Sequence, residues 1–102
     1  KDILIHEQIH FNISELRCRV LRLWFVNNRR IIINQKYFKG SKGIDSIKYK
    51  FSQLQDQYDL ETNHGIYQDI QNKWEKRILK SLDSLVDYKD TLICLSALPS
   101  CQ

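Results

Sequence analysis

The sequence predicts a mainly α domain, a long helix packed on an antiparallel helical hairpin, with a small β element near residues 20–38 as the local competitor. Apolar residues recur at steps of three and four over three stretches, and neither Gly nor Pro interrupts the first of these. The second and third are separated by Asn63-His64-Gly65, residues that tolerate a left-handed backbone and let a chain reverse.

The first helix is expected from Asp2 to about Asn28, on the stripe Ile5, Ile9, Ile13, Leu16, Val20, Leu23 and Trp24. At 1.5 Å per residue it would be about 40 Å long. Its second half is contested. Val20 to Val26 is apolar nearly all round and Ile31-Ile32-Ile33 is β-branched, so a β-hairpin turning at Asn27-Asn28 competes with the helix. Lys39-Gly40-Ser41-Lys42-Gly43 reads as a loop, after which Ile44, Ile47, Phe51, Leu54 and Tyr58 mark a second helix ending near Glu61. Ile66 to about Leu92 returns as a third, with Ile70, Trp74, Ile78, Leu82 and Leu85 on one stripe. Pro99 closes a short apolar tail.

With 102 residues, 42% hydrophobic and 27% charged, the composition is that of one globular domain. No apolar run approaches the 18 or so residues a membrane span needs. The chain lacks methionine and opens at Lys1, so the expectation is a single domain over 1–102 that forms the C-terminal part of a longer protein, with no signal peptide in this stretch. Three cysteines, Cys18, Cys94 and Cys101, without CxxC spacing argue against a disulfide framework and a thiolate metal site, and leave a Cys94–Cys101 bridge open.

The net charge of +4 is unevenly spread. Residues 17–50 hold ten Lys or Arg against the single acid Asp45. Interleaved with Trp24, Phe25, Tyr37, Phe38 and Tyr49, that stretch could suit nucleic acid through Arg17, Arg19, Arg22, Arg29 and Arg30. No nucleic-acid motif accompanies it, so a solvated helix face is the preferred reading.

His6-Glu7-Gln8-Ile9-His10 is an HExxH match. On a helix, positions i and i+4 project from one face a turn apart, so two imidazoles can grip one ion while the intervening glutamate lies beside it. With this composition an accidental match has a probability of roughly two in a thousand, and here it falls in helical context. Ile3, Leu4, Ile5 and Ile9 crowd the turn, which predicts burial of the histidines. A catalytic zinc usually has three protein ligands and an open position, and the one histidine left is His64, in the turn between the second and third helices. Zinc held by His6, His10 and His64 is therefore expected, with Asp59 and Glu61 as the competing third ligands. Glu7 is expected to be the general base that takes a proton from the attacking water.

The stretch His6-Glu7-Gln8-Ile9-His10-Phe11-Asn12-Ile13-Ser14-Glu15-Leu16 resembles the HEQxHFDIxE segment of an uncharacterised bacterial family of predicted secreted zinc-dependent proteases. Gln57-Tyr58-Asp59-Leu60-Glu61-Thr62-Asn63-His64-Gly65, followed by Gln71 and Trp74, is similar to that family's YDxETxHG segment with its following Gln and Trp. The resemblance implies a zinc metallopeptidase acting on a protein or peptide substrate, secreted or periplasmic, with zinc on His6, His10 and His64 and Glu7 catalytic. Asn12 stands where the family usually has Asp, and only five residues precede His6, where family members carry a sizeable N-terminal portion. Tyr58 or Tyr67 is a candidate donor to the developing oxyanion, and Asp59 or Glu61 a candidate partner for the second nitrogen of a ligand imidazole. Two other classes compete: a non-enzymatic helical interaction module with structural zinc or none, and a basic nucleic-acid-binding domain.

Overall fold

The computed structural model describes residues 2–29 and 42–89, and among the described residues it holds three α-helices. They are α1 (Asp2–Asn27), α2 (Lys42–Thr62) and α3 (Gln68–Ser84), and a 3-10 turn at Val86–Tyr88 follows. Among the described residues there is no strand, and no helix is long and apolar enough to cross a membrane. Residues 20–27 are part of α1, Asn28 is a turn and Arg29 is helical, so the β alternative fails there; residues 30–38, Cys94, Cys101 and Pro99 lie outside the described residues. Nothing in the sequence of α1 breaks the helix, and its apolar stripe finds cover on both partners.

α1 is the shared wall. Both α2 and α3 pack mainly against it and touch each other less. The core consists of Ile9, Ile13 and Leu16 from α1, Tyr58 from α2, and Trp74, Ile78 and Leu82 from α3. Val20, Phe51, Leu54, Ile70 and Leu85 pack around it. These are the residues at steps of three and four, so the period that predicts each helix also selects the face it buries. Ile5, expected on the same stripe, is 39% exposed at its edge.

The helix ends have local causes. At the end of α1 the Asn28 backbone N–H and side-chain Nδ2 both donate to the Trp24 carbonyl (2.9 and 2.7 Å), using an acceptor that the helix leaves free. Gly43, at the start of α2, lies against the Trp24 ring: a Cβ there would stand 2.6 Å from Nε1, so a larger residue would push the two helices apart. Asp45 and Asp69 sit in the first turns of α2 and α3, where the helix dipole favours an anion.

α2 stops at Thr62, whose hydroxyl donates back to the Tyr58 carbonyl (2.7 Å). Asn63, His64 and Gly65 then take φ of 48°, 57° and 96°, three left-handed residues in succession. For the two that carry a Cβ this conformation costs about 1–2 kcal/mol each. The turn is held by backbone bonds from His64 N–H to Asp59 (2.9 Å) and from Tyr67 N–H to Thr62 (2.9 Å), and by Gln68 Nε2 donating to the Gly65 carbonyl (3.1 Å). α3 begins two residues later than Ile66 and ends at Ser84, short of Leu92, because Leu85 turns its N–H to Leu82 in a tighter turn.

The basic segment serves the fold at its far end. Arg19 pairs with Glu15 (2.6 Å) and donates to the Leu82 carbonyl (2.6 Å), while Arg22 donates to the Tyr88 carbonyl (2.7 Å) and approaches Glu15 at 3.5 Å. Both cations sit at the C-terminal end of α3 and the turn after it, where free carbonyls attract them. Arg17 remains exposed, and Arg30 lies outside the described residues.

Candidate metal centre

His6 and His10 project from one face of α1, one turn apart, toward α2. Their rings meet edge to face with centroids 4.8 Å apart. His6 Nε2 and His10 Nε2 both reach the same oxygen, Asp59 Oδ1, at 2.8 and 2.6 Å. Two imidazole nitrogens and one carboxylate oxygen thus lie within 4.8 Å of one another, contributed by α1 and α2. The helical spacing of the histidines places two donors side by side, and Asp59, one turn before the end of α2, supplies the third.

Tyr58 organises this cluster from beneath. It is fully buried, stacks on His6 with centroids 4.5 Å apart and planes 16° from parallel, and meets His10 and Trp74 edge-on. Its hydroxyl donates to the His6 carbonyl (3.1 Å) and lies 3.4 Å from Gln71 Oε1. Burial first, then the negative charge of Asp59, Glu7 and Glu75, pushes the Tyr58 phenol well above its ordinary value, so it stays a donor. Its hydroxyl is committed to the core, and Tyr67 is half exposed on the turn.

The burial of His6, 5% exposed, has a different source from the one the sequence suggests. Ile3 and Leu4 are each 75% exposed, and the cover comes from Tyr58, Gln71 and Gly65 on the other side. Gly65 is where the turn touches α1: a Cβ on it would lie 3.2 Å from His6 Cβ and Cγ and from Gln71 Oε1.

The second nitrogen of each ring has a partner that the sequence reading did not assign. His6 Nδ1 meets Gln71 Oε1 at 3.0 Å, and His10 Nδ1 meets Gln55 Oε1. Gln55 Nε2 donates to the His10 carbonyl (3.1 Å) and to Ser14 Oγ (3.2 Å). Gln71 is fully buried, and its Nε2 has no hydrogen-bond partner among the described residues. A signal for both was available: Gln55 shares a stripe with Phe51, Tyr58 and Thr62, and Gln71 shares one with Trp74, Ile78 and Leu82. A polar side chain at an inward position needs an inward partner.

Asp59 meets the inner nitrogens, not the outer ones. Burial by itself raises its carboxyl, but hydrogen bonds from His6 and His10, with the charge those rings can carry, outweigh this and hold it below its ordinary range. Glu61 is drawn away: it accepts from Trp74 Nε1 (3.1 Å) and from Gln57 Nε2. Asn12 accepts from Gln8 (3.0 Å) on the surface and does not touch either ring. His64 stands at the rim, its side chain 76% exposed and its Nδ1 3.8 Å from Asp59 Oδ1. Glu7 lies exposed on α1 beside His6. His64, Gly65, Ile66, Gln68 and Ile3 line a groove of about 370 Å³ next to this rim.

Two imidazoles and a carboxylate converging from two elements are a donor set that suits zinc. The chemistry of the three atoms fits: each prefers a proton or a cation between it and its neighbours, and a divalent ion would serve all three at once. No protein-family model matches the chain, and no curated protein or solved structure matches it either.

Proposed function

We propose that this chain is a zinc-dependent hydrolase of peptide bonds, with His6, His10 and Asp59 holding the ion and Glu7 as general base. The observation that carries it is the convergence of His6 Nε2 and His10 Nε2 on one oxygen of Asp59. The HExxH spacing and the resemblance of two blocks to a family of predicted secreted zinc-dependent proteases support the same reading, including a secreted or periplasmic location and a protein or peptide substrate. In this reading the motif helix lies on an antiparallel hairpin formed by α2 and α3.

Zinc, when bound, supplies a Lewis acid that lowers the pKa of water and polarises a carbonyl. The residues do the rest. His6 and His10 direct their Nε2 lone pairs to one point, and Asp59 brings a negative charge that offsets part of the ion's. Glu7, exposed one residue from His6, is free to accept a proton from the attacking water and to deliver it to the leaving amine. Tyr58 keeps water from the underside of His6. His64 stands beside the open groove, where a substrate carbonyl would approach.

A second assignment keeps His64 as a ligand, as the sequence reading expects, and the 3.8 Å approach of its Nδ1 to Asp59 Oδ1 favours it. If His64 replaces Asp59, three protein ligands still leave an open position. If both bind, the four close the site and the zinc is structural, the signature of a non-enzymatic helical module. A nucleic-acid role has less support, since Arg19 and Arg22 are engaged with Glu15 and backbone carbonyls.

The test is zinc content and hydrolysis of an unstructured protein substrate by the chain and its His64→Ala, Asp59→Asn and Glu7→Gln variants. The proposal expects zinc retained in His64→Ala, reduced at least tenfold in Asp59→Asn, and hydrolysis abolished with zinc retained in Glu7→Gln. Zinc lost in His64→Ala but kept in Asp59→Asn would transfer the third position to His64. Absence of zinc in the wild-type chain would overturn the metal centre.

A further inference from the structure

The outer nitrogens of the two motif histidines are held by a matched pair of neutral amides, one from each of the other helices. We propose that Gln55 and Gln71 are positioning residues that hold His6 and His10 in the Nδ1–H tautomer, so that both present Nε2 to the metal. The inference rests on the zinc reading above and adds what selects the coordinating atom.

Gln55 settles its own orientation. Its Nε2 donates to the His10 carbonyl and to Ser14 Oγ, so its Oε1 is the atom turned to His10 Nδ1, and that nitrogen must carry the hydrogen. Reversing the amide would set Oε1 against the His10 carbonyl, oxygen facing oxygen. On the other side Gln71 Oε1 lies 3.0 Å from His6 Nδ1 and 3.4 Å from the Tyr58 hydroxyl, and in this orientation it too is the acceptor for His6. With Nδ1 protonated, the hydrogen that bridges each Nε2 to Asp59 Oδ1 in the metal-free site is the one an ion displaces, leaving both Nε2 lone pairs facing the same point.

Stability alone does not account for Gln71. It is fully buried on the apolar stripe of α3 with Nε2 unpartnered among the described residues, and an unpaired buried donor is destabilising. An apolar side chain there would remove that penalty but leave His6 free to turn its ring. The amides also differ from the carboxylates often found behind zinc-binding histidines. A carboxylate pulls on the Nδ1 proton and makes the ring a stronger donor. An amide fixes the ring with less of that effect, so the ion keeps more of its Lewis acidity.

The experiment measures zinc affinity by competition with a chromophoric chelator, together with the imidazole ¹⁵N spectrum of the zinc-loaded chain, for wild type, Gln55→Leu, Gln71→Leu and Gln55→Glu. The wild type is expected to show His6 and His10 protonated at Nδ1 and coordinated through Nε2. Each Leu variant is expected to bind zinc 10–100-fold more weakly, the range typical of outer-shell losses. Gln55→Glu keeps an acceptor oxygen for His10 Nδ1 but sets its second oxygen against the His10 carbonyl, so it is expected to recover part of the affinity and bind zinc more tightly than Gln55→Leu. Unfolding in chelator separates positioning from scaffold: in Gln71→Leu the loss of the unpaired Nε2 offsets the unpairing of His6 Nδ1, so stability should stay close to wild type, whereas a purely structural glutamine would leave it clearly less stable. If Gln71→Leu does not fold, Gln55→Leu, at a partly exposed position, carries the test. Zinc affinity unchanged in the Leu variants, or coordination through Nδ1 in the wild type, would overturn the inference while leaving the zinc reading intact. A wild-type chain that binds no zinc would overturn both.

Discussion

Gly65 lies directly against His6: the space its missing Cβ would occupy is 3.2 Å from the histidine's own Cβ and Cγ. Backbone geometry and site geometry therefore meet in one residue. With φ of 96° and no room for a methyl group, Gly65→Ala should destabilise the fold by about 2 kcal/mol and displace His6. Urea unfolding measures the first effect. Zinc affinity relative to Asn63→Gly, which relieves strain in the same turn without adding a side chain, measures the second.

Metal removal should lower the melting temperature. His6 and His10 come from α1 and Asp59 from α2, so an ion that binds all three ties the folded chain together and stabilises it by mass action. About one zinc per chain is expected, lost in His6→Ala and His10→Ala and kept in Glu7→Gln. Calorimetry with and without chelator is the check, and a melting temperature indifferent to chelation would contradict a site shared between these helices.

Arg19→Leu tests the far end of α1. Its guanidinium donates to the Leu82 carbonyl and pairs with Glu15, and a charge-assisted bond of this kind contributes about 1.5–3 kcal/mol. Chemical denaturation should show a loss at the lower end of that range. Zinc affinity should not change, because the last turn of α3 lies away from the histidines.

Alkaline pH should weaken the fold through Tyr58. Its folded pKa is raised, so above the ordinary value of 10.0 the unfolded chain releases a proton that the folded chain keeps. Stability conferred by the neutral phenol is present below pH 10.0 and is lost as pH rises beyond it toward the folded pKa. Tyr58→Phe cannot titrate. Its denaturation midpoint, lower than wild type at neutral pH by the loss of one hydrogen bond worth about 1 kcal/mol, should fall less steeply over the alkaline range.

Helices were legible because each carries its buried stripe at steps of three and four, and Ile9, Ile13, Trp74 and Ile78 fall where that period places them. Ends were less so. The close of α1 depends on Asn28 capping Trp24, and the close of α3 on a tighter turn at Leu85, and neither leaves a periodic trace. His6 and His10 were legible from their spacing, while Asp59 could be named only as a competitor, since a carboxylate near the end of a helix is ordinary until the fold shows what it faces. The exposed Ile3 and Leu4 were misleading. Apolar neighbours in sequence point all round a helix, so they say little about which side of His6 is covered.

Among the described residues the interior comprises seven apolar side chains together with His6, Thr62 and Gln71. Such an interior ties the ancestry of the fold to that of its chemistry. A lineage abandoning the histidines could not drift away from them singly: replacing His6 alone would strand Gln71 and unstack Tyr58, and replacing Gln71 alone would loosen His6. The polar positions should therefore change as a block. Relatives of this chain are expected either to keep His6, His10, Gln55, Tyr58, Asp59 and Gln71 together, or to show apolar residues at several of those positions at once, with few intermediates between.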